Sequence, residues 1–311
     1  MHLETPIHAN RAMPGLHSLS IIERSQPTDD SLCLRFAVPQ QLHQHFVFTE
    51  GQFIALEAEI DGERIRRNYS ICSSVQEYEQ YKTFSVGIRI LIHGRFSNWA
   101  RQHLLAGSRI LVMTPDGRFV PPPLTAAADA QADALTNRND IGRNDGHRRK
   151  NRRHHVAFAG GSGITPILSM IKTRLHHEPS SYFSLIYANR HSQSIMFLEE
   201  LEDLKNQYID RFNRIHVLSE ERSDLELHHG VLDQAKCSSL LEKLLPPLSI
   251  DVAYICGPEP MMLATEAALL EAGVDRSRIL IERFGSPPSA IAHARATPSP
   301  SPTDDKADSC S

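Results

Sequence analysis

The sequence predicts two domains of different class, an antiparallel β-barrel followed by an α/β domain with a doubly wound parallel sheet. Three observations support this prediction. The length of 311 residues is more than one compact core usually holds. Residues 18–120 contain short segments in which apolar and polar residues alternate, as in half-buried strands. From residue 154 onward, strand-like and helix-like segments alternate, which is typical of a parallel sheet covered on both faces.

Strands of the first domain are indicated by alternation along two segments and by one turn. Apolar residues recur at every second position in 31–38 and again in 84–90, so each segment presents one apolar face. Asp61-Gly62 lies between two such segments and is typical of a hairpin turn with positive φ angles. Short strands at this spacing favour a barrel or a sandwich.

The segment 121–153 interrupts both patterns. It begins with a proline run, contains many Ala, Asn, Asp and Arg residues, and has no sustained apolar period. We interpret it as a mobile linker or insertion. Its basic run at 147–155 favours a solvated hinge, with a docking patch for an acidic partner as the alternative. The remaining divisions are an N-terminal extension over 1–17, the second domain over 154–284 and a disordered tail over 285–311.

The second domain begins with a strand at 155–160 followed by a helix. Thr165 is the predicted N-cap of this helix and Pro166 its first residue. The apolar helix positions fall on one face, namely Ile167, Met170, Ile171 and Leu175. The alternation continues with strands at 184–189, 214–219, 251–257 and 278–284, and with helices at 196–208 and 261–273.

Composition excludes several classes of protein. Hydrophobic residues make up 41% of the chain and charged residues 23%, and the formal net charge is -4, so the protein is neither a nucleic-acid binder nor disordered throughout. No secretion signal or membrane-spanning stretch is evident. Five cysteines without a CxxC pair argue against a disulfide framework or a four-thiolate metal site. We therefore expect a cytoplasmic protein with no metal site and no nucleic-acid or membrane partner.

The turn between the first strand and helix of the second domain is rich in glycine. Glycines there let the backbone approach a pyrophosphate, and the helix N-terminus offers free N–H groups to its charge. The spacing is not GxGxxG, and a plain strand-to-helix turn that needs small residues is the alternative. The candidate dinucleotide residues are Gly160, Gly161, Ser162, Gly163, Thr165 and Pro166.

Two clusters in the first domain are candidates for binding a prosthetic group. Arg67, Tyr69 and Ser70 combine a phosphate-binding guanidinium, a flat aromatic face and a hydroxyl within four positions. The alternative is a surface strand with a core tyrosine. The second cluster, Gly94 to Ser97, opens a predicted helix and is a plausible anion site.

A fourth cluster, Cys256-Gly257-Pro258, follows an apolar strand of the second domain. Ligands of open α/β sheets bind at the carboxyl ends of the strands, which places this cluster at a candidate site. A buried cysteine that only fills space is the alternative for Cys256.

These four clusters, in this order, resemble the ferredoxin-NADP reductase family of flavoenzymes. The resemblance covers about 18–284. Within the family, GRFSNWA, AGGSGITPILSMIK and IERFGSP are similar to the reductase component of phenylacetyl-CoA-type oxygenases. Members of that group usually carry a plant-type [2Fe–2S] domain, but the C-x₄-C-x₂-C spacing is missing here. Either this chain is a truncated version, or a separate acceptor takes its electrons.

The resemblance implies FAD in the first domain and NADPH or NADH in the second. It implies that Arg67 holds the pyrophosphate, that Tyr69 lies against the isoalloxazine ring and that Ser70 lies near its N5. The remaining implied contacts are Gly94, Phe96 and Ser97 at phosphate, Cys256 with Gly257 and Pro258 near the nicotinamide, Glu282 and Phe284 at the flavin pocket, and Arg190 and Ser219 at the adenosine ribose. The catalytic group so implied is Tyr69, Ser70, Cys256 and Glu282.

An arginine at position 190 favours the 2′-phosphate of NADPH, whereas Glu220 favours NADH. The implied function is an FAD-dependent oxidoreductase that passes electrons from NAD(P)H to a ferredoxin-like iron–sulfur protein or an oxygenase. A stand-alone flavin or flavodoxin reductase is the alternative enzyme. A non-catalytic truncated subunit is the alternative of another class.

Overall fold

The structure is a computed structural model that describes residues 15–123, 153–222, 225–245 and 249–284. The predicted tail and most of the predicted N-terminal extension and linker lie outside the described residues. The first strand begins at Leu16, two residues before the predicted domain boundary. Within the described part of the chain, no helix has the length and apolar character that a bilayer crossing requires.

The first domain is built on one antiparallel sheet of six strands in the order β4-β3-β6-β1-β2-β5. The sheet curls into a half-barrel, so that its two end strands approach each other. Ile71, directly after β4, forms a bridge with Val86 of β5. The elements are β1 (Leu16–Ser25), β2 (Ser31–Ala37), β3 (Phe53–Ile60), β4 (Glu63–Ser70), α1 (Val75–Tyr81), β5 (Thr83–Arg89), α2 (Arg95–His103) and β6 (Arg109–Met113).

The predicted alternation in this domain is confirmed. On β2 and β5 the side chains of one face are buried in a single apolar core, while the residues between them are more exposed on β2. The hairpin turn is also confirmed, since Asp61 has φ 53° and Gly62 φ 76°. Helix α1 lies outside the sequence prediction, although Ser74 and Glu77 form a capping box at its start.

The second domain contains a parallel sheet of five strands in the order β11-β10-β7-β8-β9. One apolar cluster joins the sheet to α3 and α4, and a second joins its other face to α5 and α6. The doubly wound arrangement is therefore confirmed. The elements are β7 (His154–Gly160), α3 (Ile164–His177), β8 (Tyr182–Asn189), α4 (Leu198–Gln207), β9 (Phe212–Leu218), α5 (Gln234–Leu244), β10 (Val252–Cys256), α6 (Glu259–Glu271) and β11 (Ile279–Glu282).

The predicted start of α3 is wrong by two to three residues. Gly163 is the N-cap, so Thr165 and Pro166 lie inside the first turn. The Thr165 hydroxyl donates a 3.0 Å hydrogen bond back to Ser162 O and does not cap the helix. Proline is tolerated there because the first turn has no intrahelical acceptor for its missing N–H.

Helix α3 also packs on the first domain. Ser169 Oγ donates a 2.7 Å hydrogen bond to Ser73 O, and Val75 N donates to Thr173 Oγ1 at 3.2 Å. We call this contact surface the domain seam. Its facing residues are Gly51, Cys72, Ser73, Val75, Gly87 and Phe119 on one side, and Thr165, Ser169, Met170 and Thr173 on the other.

Glu178, the residue after α3, is a buried carboxylate with two strong partners. It is hydrogen bonded to His155 Nε2 at 3.0 Å and accepts a bond from Arg174 Nη1 at 2.8 Å. Burial alone raises the pKa of this carboxyl, but the hydrogen bonds and charges of His155 and Arg174 lower it to about 2.

We expect acid to destabilise the protein through Glu178. Its pKa is depressed in the folded chain, so its contribution is complete above the ordinary value of 4.5 and is lost as the pH falls toward 2. Glu178→Gln should remove about 2–3 kcal/mol of that acid dependence from the free energy of unfolding. Urea unfolding of both proteins across this pH range measures the difference, and identical acid dependence would contradict the expectation.

Candidate functional site

Strand β4 presents the first group of predicted site residues. Arg67 is exposed, and its Nη1 donates a 2.8 Å hydrogen bond to Arg66 O. No ion pair among the described residues includes Arg67. The Tyr69 ring is half-buried, 5.9 Å from the ring of Phe96. Burial raises the pKa of the Tyr69 phenol, opposed in part by the charge of Arg67, so the phenol stays neutral. Ser70 is buried at the end of the strand.

The start of α2 lies beside this strand. Gly94 is the N-cap, and no side chain caps the helix. Ser97 Oγ donates to Gly94 O at 3.3 Å and accepts from Leu91 N at 3.2 Å, so the hydroxyl holds the loop together. Phe96 is buried between Tyr69 and Trp99 and supports the tyrosine ring from behind. The free N–H groups of this helix end remain available to an anion.

The glycine-rich turn and the Cys256 loop meet backbone to backbone. A Cβ atom on Gly163 would lie 2.1 Å from Cys256 O. One on Gly160 would lie 2.6 Å from Pro258 Cδ, and one on Gly257 would lie 2.9 Å from Gly160 N. Glycine is needed at all three positions because no side chain fits between the loops. The structure thus brings together two clusters that are far apart in the sequence.

The outer side of the same turn is open. Gly161 has φ 51°, and a Cβ atom there would meet no other atom within 4 Å. Tyr187 OH donates a 2.8 Å hydrogen bond to Gly161 O and holds the turn in place. Helix α3 follows with no side-chain cap. An exposed glycine turn ahead of an uncapped helix suits the pyrophosphate of a dinucleotide.

Cys256 ends β10 and is paired in register with Glu282 of β11. The thiol is fully buried, and burial together with the nearby Glu282 charge raises its pKa, so it is a neutral thiol. Burial also raises the pKa of Glu282. Phe284, two residues further on, is 49% exposed. A ligand reaches the Cys256 sulfur only if the groups covering it move.

The first turn of α3 connects the two halves of the site. Thr165 packs on Gly87 of β5, where an added Cβ atom would lie 2.7 Å from Thr165 Cγ2. Gly87 follows Val86, which bridges Ile71 directly after Ser70. The Cys256 carbonyl touches Gly163 at the start of the same turn. The end of β4 and the Cys256 loop therefore both lie beside the N-terminus of α3.

Arg190 and Ser219 follow neighbouring strands, as the sequence predicts. Ser219 N donates to Asn189 O at 3.0 Å, and Glu220 N donates to Arg190 O at 2.8 Å, so the two positions are adjacent. The Arg190 guanidinium is more than half exposed and lies 3.7 Å from Asp30 of the first domain. An exposed and weakly paired arginine at this edge can bind a phosphate.

A cavity of about 210 Å³ also opens on the domain seam, away from all the predicted site residues. Its cations Arg35 and Lys172 are already paired, with Glu23 and with Glu77 and Glu200 respectively. The cavity therefore offers little free charge to an anionic ligand.

The residues present fit both cofactors. FAD needs a guanidinium without an acidic partner, a neutral aromatic face and free N–H groups for phosphate, and Arg67, Tyr69 and the α2 N-terminus supply them. A dinucleotide needs an open glycine turn at a helix N-terminus, which residues 160–163 supply.

We expect Cys256→Ser to retain flavin and to slow its reduction by NADPH about tenfold or more, if the thiol lies at the nicotinamide. The reason is that Cys256 belongs to the second domain and contacts none of the predicted FAD residues of β4. Anaerobic stopped-flow absorbance measures the reduction rate. Unchanged kinetics would assign Cys256 to the core, as its complete burial permits.

Comparison with protein families matches both domains. Residues 18–120 match the family described as "Oxidoreductase FAD-binding domain". Residues 158–267 match "Oxidoreductase NAD-binding domain". Together the two matches cover the described strands of both sheets except for β11, the first residues of β1 and the first half of β7.

Two curated relatives match most of the chain. The chain is 39% identical over 279 residues to a subunit of 1,2-phenylacetyl-CoA epoxidase from Escherichia coli (strain K12), which covers 90% of this chain and 70% of the relative. It is 31% identical over 277 residues to the ferredoxin reductase component of 3-ketosteroid-9-alpha-monooxygenase of Mycobacterium tuberculosis (strain ATCC 25618 / H37Rv), covering 86% of this chain and 65% of the relative. The chain thus spans about two thirds of these proteins.

Solved structures share the fold. The ferredoxin NADP+ reductase from Neisseria gonorrhoeae, determined with bound FAD and NADP, superimposes with a TM-score of 0.65 at 19% identity, covering 87% of this chain and 99% of that one. The ferredoxin reductase in carbazole 1,9a-dioxygenase gives a TM-score of 0.64 at 21% identity, covering 87% of this chain and 69% of the other.

Proposed function

This chain belongs to the ferredoxin-NADP reductase family of FAD- and NAD-binding oxidoreductases, and we propose that it acts as the reductase component of an oxygenase system. The observation that carries the proposal is the meeting of the two halves of the site. The end of β4, with the predicted FAD residues, and the Cys256 loop lie beside one helix N-terminus. Electron transfer from a dinucleotide to a flavin requires such a shared edge.

Each half of the site has a distinct task in this proposal. Arg67 binds the FAD pyrophosphate, and Tyr69, held by Phe96, fixes the plane of the ring. When bound, FAD accepts a hydride and releases its electrons one at a time. Gly161 and the first turn of α3 bind the dinucleotide pyrophosphate. The tight packing of Thr165 on Gly87 excludes water between the domains.

NADPH is the dinucleotide that the charges favour. Arg190 is exposed beside Ser219, and its distance of 3.7 Å from Asp30 leaves it free to turn toward a 2′-phosphate. Glu220 on the same edge opposes this choice by repelling the phosphate. We therefore infer a preference for NADPH whose size depends on the balance of these two side chains.

The partner is an iron–sulfur protein or the oxygenase itself. The two curated relatives are parts of an epoxidase and of a monooxygenase, which supports this inference. The five cysteines lack the spacing of a plant-type cluster, so the electrons leave for a centre that the present sequence does not supply. The cytoplasm is the inferred compartment, and the described cysteines Cys33, Cys72, Cys237 and Cys256 are free, in keeping with it.

Oxidation of NADPH and NADH by the purified protein, in the presence of different acceptors, tests the proposal. We expect a plant-type ferredoxin or an oxygenase component to be reduced faster than free flavin or a dye at equal concentration. Free FMN as the fastest acceptor would instead favour a stand-alone flavin reductase. A folded protein that oxidises neither nucleotide with any acceptor would favour a non-catalytic subunit.

A further inference from the structure

Arg174 on α3 is a buried cation that joins the two domains. Its guanidinium pairs with the Glu50 carboxylate of the first domain through Nη2. Through Nη1 it also pairs with Glu178, one turn further along, at 2.8 Å. All three side chains are at most 8% exposed. A buried pair of this kind is screened far less by water and salt than a surface pair, so its geometry is held firmly.

On the side of the second domain, this contact continues into the sheet. Glu178 is hydrogen bonded to His155 Nε2 at 3.0 Å, and His155 Nδ1 is 3.0 Å from Tyr254 OH. His155 lies on β7, which ends at Gly160, and Tyr254 lies on β10, which ends at Cys256. The network is therefore fixed to the two strands that carry the dinucleotide turn and the Cys256 loop.

On the side of the first domain, Glu50 is close to the predicted flavin strand. It lies three residues before Phe53, which pairs in register with Ser70. The intervening Gly51 has φ 93°, and a Cβ atom there would lie 1.9 Å from Phe119 O, so this segment is tightly confined. A displacement of Glu50 is therefore transmitted to the end of β4.

We propose that the ion pair between Glu50 and Arg174 is a positioning device, which holds the flavin strand and the dinucleotide turn at the separation that hydride transfer needs. The inference rests on the proposed function. Hydride donor and acceptor must approach to about 3–3.5 Å, and a misplacement of about 1 Å costs up to 100-fold in rate. A buried charged contact across the domain seam supplies such precision, because neither partner has a second position of equal energy.

The charges of the cluster identify Glu50 as the residue to change. Removal of Arg174 leaves two buried carboxylates without a cation, which endangers folding. Glu50→Gln leaves Arg174 paired with Glu178, so the second domain keeps its own pair and loses only the charged contact across the domain seam. This variant separates positioning from folding.

Glu77→Gln is the matched control. Glu77 also pairs across the domain seam, with Lys172 at 3.0 Å, but it is one third exposed. Lys172 keeps Glu200 as a partner at 2.6 Å. Glutamine at position 77 preserves the capping box of α1. Exposed pairs contribute little, so this variant should reduce its flavin within about twofold of the wild-type rate.

The experiment compares wild type, Glu50→Gln and Glu77→Gln as full chains loaded with FAD. Flavin content, thermal unfolding, the dissociation constant of NADPH and the limiting rate of flavin reduction are measured anaerobically. We expect Glu50→Gln to keep its flavin, its NADPH affinity and an unfolding temperature close to wild type, with a limiting rate about tenfold lower. A purely structural role would lower the unfolding temperature and leave the limiting rate unchanged.

Three results would overturn the inference. They are a wild-type limiting rate in Glu50→Gln, an equal loss of rate in Glu77→Gln, and a Glu50→Gln variant that loses flavin or does not fold, which would assign Glu50 to stability. A wild-type protein that NADPH does not reduce contradicts the proposed function itself, and is thereby distinguished from all three.

Discussion

Gly163→Ala is expected to destabilise the protein by about 3 kcal/mol and to lower the rate of flavin reduction by about 100-fold. The new Cβ atom would lie 2.1 Å from Cys256 O and 2.5 Å from Cys256 C. Both are backbone atoms, so the two loops must separate. Gly163 itself has φ -61°, which alanine adopts freely, so the cost comes from lost space alone.

Gly161→Ala isolates the effect of space from that of backbone strain. Gly161 has φ 51° and open surroundings, so alanine there costs only the left-handed conformation, about 1 kcal/mol. Urea unfolding ranks the two variants, and stopped-flow absorbance gives the reduction rate of Gly163→Ala. If Gly163→Ala were as stable and as fast as wild type, the dinucleotide turn and the Cys256 loop would not be in contact.

Arg67→Ala is expected to weaken FAD binding about 100-fold without loss of stability in the flavin-free protein. A guanidinium that binds a pyrophosphate contributes two or more charge-assisted hydrogen bonds, each about 1.5–3 kcal/mol before losses. In the flavin-free chain the guanidinium donates one bond to the neighbouring Arg66 O, so its removal leaves no buried partner. Titration of the flavin-free protein with FAD, followed by fluorescence, measures the affinity.

Arg35→Ala is the control for this loss of charge. Arg35 lies in the same sheet and is paired with Glu23 at 2.9 Å, with about half of each side chain exposed. Its removal changes the net charge of the domain equally, but it should leave FAD affinity unchanged. Equal weakening in both variants would show that Arg67 acts through the general charge of the domain, and would argue against a direct contact with pyrophosphate.

Most strands and helices are predictable because each buries one face against a single core. Alternation in β2 and β5 and the apolar face of α3 are examples. Helix α5 escapes prediction although Asp233 caps its start, because its apolar residues are few and interrupted by polar ones. The predicted start of α3 is too late because threonine followed by proline is a common cap signal, while here Gly163 has that role.

The site is predictable where its residues are contiguous, as in the four clusters. It is not predictable where the domains meet. Gly87 is an ordinary strand glycine until Thr165 is found against it. Arg174 is one charged residue on a long helix, and its partner Glu50 belongs to the other domain. No local pattern connects such residues, because their relation exists only after the two domains have packed.

Anaerobic addition of NADPH to the purified, flavin-loaded protein tests the central claim most directly, since it asks whether the two halves of the site share one edge. We predict a yellow protein whose flavin absorbance is bleached by NADPH in a single turnover. A correctly folded chain that stays colourless in excess FAD, or that binds FAD which NADPH leaves oxidised, would contradict the account.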